Sequence, residues 1–188
     1  MSTKALILPG WQGSGPGHWQ MRWVARHGHT VVEQADWLRP RRGDWLARLD
    51  EVIVDTPGDG ADLLLVAHSL GCIQVAAWAA VSRHTARVRG ALLVAPGDVE
   101  RPELREQLPG WAPIVRQRLP FAALLVGSRN DPYCSADRAR GLAYDWGARW
   151  HDLGEAGHIN ADSGLGSWPA GHALLQDWIS EAAAQPTP

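Results

Sequence analysis

The 188-residue chain has little of several things that would mark a specialised class. It has only two cysteines, Cys72 and Cys134. Neither has partners at metal-ligand spacing, so a disulfide framework and a zinc site are both excluded as expectations. It has no long hydrophobic run. Stretches such as Leu63 to Ala67 fall far short of a bilayer's thickness, and no membrane partner is expected. It has no excess of one charge: 18 Lys and Arg face 20 Asp and Glu, for a net charge of −2. No basic stripe stands out, so nucleic-acid binding has no support. The apolar run Ala5 to Leu8 near the N-terminus is too short for the core of a signal peptide. A cytoplasmic protein with free thiols is expected. No metal or other cofactor is expected.

What is present is ordinary globular composition, with 45% hydrophobic and 20% charged residues. The length suits a single domain, assigned to residues 1–184, with a frayed tail over 185–188. The aromatic balance is unusual: 11 Trp against 2 Tyr and 1 Phe. Most of these indoles must lie in the core or line a pocket, because a small domain exposes few of them.

Short apolar runs alternate with helical stripes along the chain. Strands are expected at Ala5–Leu8, Thr30–Glu33, Leu63–Ala67, Ala91–Val94, Ala122–Val126 and Trp150–Leu153. Helical spacing relates Trp45, Leu49, Val52 and Ile53. It also relates Leu70, Ile73, Ala77, Trp78 and Val81, and near the C-terminus Gly171, Leu174, Leu175, Trp178, Ile179 and Ala182. Asp137–Trp146 reads as a further helix. Continuous apolar strands alternating with helices imply an α/β fold with a mostly parallel sheet and helices on both faces. Working residues in such folds sit on loops at the carboxyl ends of strands.

Those loops carry a coherent chemistry. The strand Leu63–Ala67 runs into His68-Ser69-Leu70-Gly71 and then a helix. This is the context of a nucleophile elbow, G-x-S-x-G, with Ala67 in place of the first glycine. Small neighbours allow the tight turn that exposes a serine, and the helix start offers free N–H groups to an oxyanion. The competing reading is a serine that only caps the helix. An acid and then a histidine should follow along the chain. Asp131, in Gly127-Ser128-Arg129-Asn130-Asp131-Pro132, and His158, in Gly157-His158-Ile159-Asn160, both fall just past strand ends. In a Ser69-Asp131-His158 triad, His158 exchanges the serine proton and Asp131 holds its imidazole. Asp98, after the strand Ala91–Val94, is a rival acid. Ser14, Ser128 and Ser163 lie near glycines but lack an elbow.

The oxyanion donors expected are the N–H of Leu70 and that of Trp11, with Gln12 as the alternative to Trp11. Gly10 would let the backbone come close to the reacting carbonyl. His18, His68 and His172 are candidates for the surroundings of the site, with His68 shaping the pocket or turn. Cys72 and Cys134 read as packing residues. Asn160 and Ser163 can bond their own backbone and hold the loop of His158.

At these motifs the chain resembles the YdeN-like family of small serine hydrolases, related to retinoblastoma-binding protein nine. The matching stretches are Pro9-Gly10-Trp11 with His18-Trp19, His68-Ser69-Leu70-Gly71, Ser128-Arg129-Asn130-Asp131-Pro132-Tyr133 and Gly157-His158-Ile159-Asn160-Ala161. Ser163-Gly164-Leu165-Gly166, Trp168-Pro169 and Gly171 extend the match over nearly the whole chain. The resemblance implies a compact α/β-hydrolase fold and favours Asp131 over Asp98.

Residues 95–121, rich in proline, are too few for a large cap domain, and Glu103–Trp111 reads as a small flap. A site so lightly covered suits a small acyl substrate. The expected activity is carboxylesterase-like hydrolysis through an acyl-enzyme, with thioesters and amides open to the same chemistry. An acyltransferase with the same triad, or a protein-binding module on a hydrolase fold, are the alternatives.

Overall fold

The computed structural model describes residues 4–58 and 63–184. The tail expected at 185–188 lies outside the described residues. Six parallel strands form one sheet in the order β2-β1-β3-β4-β5-β6. They are β1 (Lys4–Leu8), β2 (Thr30–Val31), β3 (Leu63–His68), β4 (Val88–Val94), β5 (Ala122–Gly127) and β6 (Arg149–Asp152). The helices are α1 (Trp19–His27), α2 (Arg42–Asp55), α3 (Leu70–Ala79), α4 (Pro102–Gln107), α5 (Ala136–Trp146) and α6 (Pro169–Ala184).

Successive strand residues point to opposite faces, and the sheet therefore separates two cores. Leu63, Leu65 and Ala67 of β3 face one side with Trp45, Trp78 and Trp146 of α2, α3 and α5. Leu64 and Val66 face the other, with Trp19 and Trp23 of α1 and Trp178 of α6. Each buried indole removes roughly 150–250 Å² from water, about 4–6 kcal/mol at roughly 25 cal/mol per Å². Their N–H groups also tie loops down. Trp45 donates to Asp36 O at 3.2 Å, Trp111 to Pro40 O at 2.8 Å and Trp146 to Val115 O at 2.7 Å. Eight of the 11 tryptophans are buried, so the indole excess belongs to the core and its loops.

Several expectations need correction. Residues 19–27 were not expected to be helical. They form α1 because Trp19 and Trp23 share a buried face, His18 Nδ1 caps Gln20 N–H at 3.2 Å, and Gly28 closes the helix at φ 69°. The second strand is shorter than Thr30–Glu33. As an edge strand it pairs only with β1, and it ends at Val31. Helix α3 stops at Ala79, which leaves Val81 outside the stripe and 71% exposed. The flap expected at Glu103–Trp111 contains α4, opened by Pro102 at its first turn.

Candidate active site

The strand order reverses direction between β1 and β3, and ligands in open parallel sheets bind outside such a point. The loops after β1, β3, β4, β5 and β6 meet there. Ser69 follows β3 directly and has φ 54° and ψ −118°. A non-glycine residue holds such a conformation only when its surroundings enforce it. Ser69 N–H donates to Val94 O at 3.0 Å, fixing the turn to β4. Gly71 lets α3 start against β1: a Cβ there would stand 2.4 Å from Leu8 O. The Ser69 side chain makes no capping bond to α3, which disposes of the capping reading.

Instead Ser69 Oγ lies 2.9 Å from His158 Nε2. His158 Nδ1 lies 2.9 Å and 3.0 Å from the two carboxylate oxygens of Asp131. The Asp131 side chain is 2% exposed and also accepts Tyr133 N–H at 2.8 Å. Asp98 is engaged elsewhere, accepting Arg138 Nη2 and Glu100 N–H, each at 3.2 Å.

The loop carrying His158 is fixed at four consecutive residues by four side chains. Ser128 Oγ accepts Ala156 N–H at 2.9 Å, and Asn130 Oδ1 accepts Gly157 N–H at 2.7 Å. His68 Nε2 donates to His158 O at 2.9 Å, and Trp19 Nε1 donates to Ile159 O at 2.8 Å. This restraint holds Ile159 at φ 49°, a costly conformation for a β-branched residue. Asn160 and Ser163 cap the 3₁₀ turn 161–163 reciprocally just beyond. Ser128 also donates to Asn130 Oδ1 at 2.9 Å, so the loops of acid and histidine form one network.

Gly10 approaches Ser69 so closely that a Cβ there would lie 2.8 Å from Ser69 Cβ. Among the described residues, the backbone N–H groups of Trp11 and Leu70 have no protein partner, while the Trp11 indole N–H donates to Leu38 O at 3.0 Å. Gln12 does not serve as the alternative donor: its N–H is taken by Trp37 O at 3.0 Å, and its side chain lines the pocket instead. Gln20, which the sequence reading passed over, is fully buried. Its amide donates to Leu8 O and Val66 O at 3.2 Å and 3.1 Å, binding the ends of β1 and β3 together. It also accepts Ser14 Oγ at 2.8 Å. Only its position directly after the His18-Trp19 motif could have drawn attention to it.

The pocket over Ser69 has a volume of about 340 Å³, and His18, His68, Tyr133 and Asn160 line it. Burial holds the His18 imidazole down to about 4, with the nearby His158 adding to the effect. Burial likewise pushes His68 well below its ordinary range, with smaller contributions from His158 and His18. Both are neutral at pH 7. His172 is not at the site: its ring stacks on His27 at 3.8 Å, beside Trp23. Cys72 and Cys134 are buried free thiols. Burial raises the Cys134 thiol to about 12 and Cys72 further still, so both pack rather than react. Among the described residues, no group of three or more His, Cys, Asp or Glu could hold a metal ion.

A parallel six-stranded sheet covered by helices on both faces, with a serine on a strained turn between β3 and α3, defines an α/β hydrolase. The chain belongs to the serine hydrolase family, whose model matches residues 5–177. It is similar to the crystal structure of a YdeN-like hydrolase from Pectobacterium atrosepticum. The two are 26% identical, with a TM-score of 0.80 over 95% of this chain and 91% of the other. The YdeN product of Bacillus subtilis shares the fold at 21% identity, with a TM-score of 0.76 over 95% and 100% of the two chains. A Rhodococcus esterase shares the fold at 13% identity, with a TM-score of 0.67 over 95% and 90%. A search of curated proteins gave no match.

Proposed function

We propose that this serine hydrolase cleaves small acyl esters through a Ser69-Asp131-His158 triad and an acyl-enzyme intermediate. The observation that carries the reading is the His158 imidazole. One nitrogen meets Ser69 Oγ and the other meets the buried Asp131 carboxylate.

His158 Nε2 takes the Ser69 proton as Oγ attacks the carbonyl carbon. The carbonyl oxygen becomes an oxyanion facing the N–H groups of Leu70 and Trp11. Collapse breaks the bond to the leaving alcohol, which receives the proton from His158. Water, deprotonated by His158, then attacks the acyl carbon, and Ser69 regains its proton as the acid leaves. Asp131 fixes the tautomer with the proton on Nδ1 and stabilises the imidazolium formed in each half. The free, buried thiols support a cytoplasmic setting.

The test is turnover of a short-chain p-nitrophenyl ester and labelling by a fluorophosphonate, beside Ser69→Ala. Loss of both in the variant is expected. A folded wild type that is neither labelled nor active would overturn the reading and favour a binding module.

A further inference from the structure

The pocket over Ser69 is built in two unlike halves. On one side the loop after β4 brings Gly97, and a Cβ there would stand 3.4 Å from Ser69 Oγ. The same segment continues into Val99 and, through α4, Leu104 and Leu108. These three give an aliphatic wall. On the other side Gly10 touches the nucleophile, and its loop continues through Gln12 and Ser14 to His18. This wall is polar. It offers an amide whose side chain has no partner among the described residues, a hydroxyl oxygen, and the unpartnered, buried Nε2 of His18. Because His18 Nδ1 accepts the Gln20 N–H, the neutral ring carries its proton on that Nε2.

Among the described residues lining the pocket, none is Lys, Arg, Asp or Glu. Of the cations near these residues in sequence, Arg105 on α4 is exposed to water, and two others are engaged elsewhere. Arg101 bonds Pro132 O and pairs with Glu103, and Arg138 pairs with Asp98 and Glu100. Burial keeps His18 and His68 of the pocket neutral. An ionised group brought into this space would lose water and gain no counter-charge, and such burial is strongly unfavourable.

We infer that the substrate is uncharged on both sides of its scissile bond, an aliphatic portion lying against Val99, Leu104 and Leu108 and a neutral portion bearing hydroxyl or amide groups lying along Gln12 to His18. This rests on the hydrolase reading above and narrows its substrate class. Thioesters of phosphate-bearing carriers, monoesters of dicarboxylic acids and phospholipids fall outside it.

The experiment compares p-nitrophenyl levulinate with p-nitrophenyl hemisuccinate, which replace a methyl ketone with a carboxylate at nearly constant shape. A second pair is 1-butyrylglycerol and its 3-phosphate. Fluorophosphonate labelling of Ser69 is followed in the same preparations. We expect kcat/KM to favour the neutral member of each pair by about 100-fold. Leu104→Arg, on a half-buried position of α4, should raise hemisuccinate turnover about tenfold and lower that of levulinate. Equal or better turnover of the charged members, with Ser69 still labelled, would overturn the inference and leave the hydrolase reading standing. Absence of labelling and turnover in folded protein would overturn both.

Discussion

His68 Nε2 donates to the backbone carbonyl of His158 at 2.9 Å, so the residue before the proposed nucleophile holds the loop of the proposed base. The imidazole rings of the two residues lie 4.9 Å apart. Only a neutral His68 avoids repelling the imidazolium that the proposed mechanism forms on His158, and complete burial keeps it neutral. His68→Ala should therefore lower kcat by about 10- to 100-fold through misplacement of the base, with KM changing less. Steady-state kinetics on a p-nitrophenyl ester check this. A loss confined to KM would show that His68 lines the pocket and does not position His158.

The two candidate acids give opposite expectations. Asp131 sits against His158 Nδ1, and Asp98 sits against Arg138. Asp131→Asn should lower kcat by about 10⁴-fold, because the amide favours the wrong imidazole tautomer. Asp98→Asn should keep kcat within a few-fold and cost about 1 kcal/mol of stability through its weakened ion pair. Kinetics and urea unfolding of both variants separate the two sites. The reverse pattern of activity would assign the acid to Asp98.

The strand ends that carry Ser69, Asp131 and His158 were legible because their strands are short apolar runs stopped by glycine, proline or a polar turn. Buried parallel strands need no alternation, so such runs are distinctive. Helix α1 was not legible. A glycine-rich loop precedes it, its cap is a histidine, and its buried face includes Gln20, whose role is to bond strand carbonyls 12 and 46 residues away in sequence. Polarity at that position says nothing of burial until the strands are placed. The aliphatic wall of the pocket was equally hidden, whereas Gln12, His18, His68 and Asn160 of its other side were legible from their motifs. Leu104 and Leu108 share a face, but a six-residue helix makes too short a pattern to read. The tryptophan count promised a lining role for some indoles, and among the described residues Trp11 alone of them borders the pocket.

Gly71 sets how closely α3 can approach β1. Its added Cβ would meet two backbone oxygens, Leu8 O at 2.4 Å and Pro9 O at 3.0 Å, neither on a flexible side chain. Gly71→Ala should therefore destabilise by about 1–3 kcal/mol despite alanine's better helix propensity. It should also lower kcat by shifting the N–H of Leu70 away from the carbonyl of the substrate. Urea unfolding and ester kinetics test both effects. An alanine variant as stable and active as wild type would show that the elbow does not need this approach.

Acid should weaken the fold through its buried histidines. Burial lowers His18 from 6.5 to about 4, and His29 similarly. Between those pH values the unfolded chain binds a proton at each site that the folded chain refuses. Stability is then fully present above about pH 6.5 and declines as the pH falls towards 4. For His18 the decline approaches about 3 kcal/mol. His18→Asn keeps an acceptor at the start of α1, where asparagine is a favoured cap, and removes the titrating ring. The variant should lose some packing at pH 7 and show a shallower fall in unfolding free energy between pH 6.5 and 4.5. The remaining slope belongs to His29, His68 and His172, all held below their ordinary range by burial first. Urea unfolding across that range measures the difference directly. An unchanged slope in His18→Asn would mean that His18 takes up its proton in the folded state, which its unpartnered Nε2 in a buried pocket argues against.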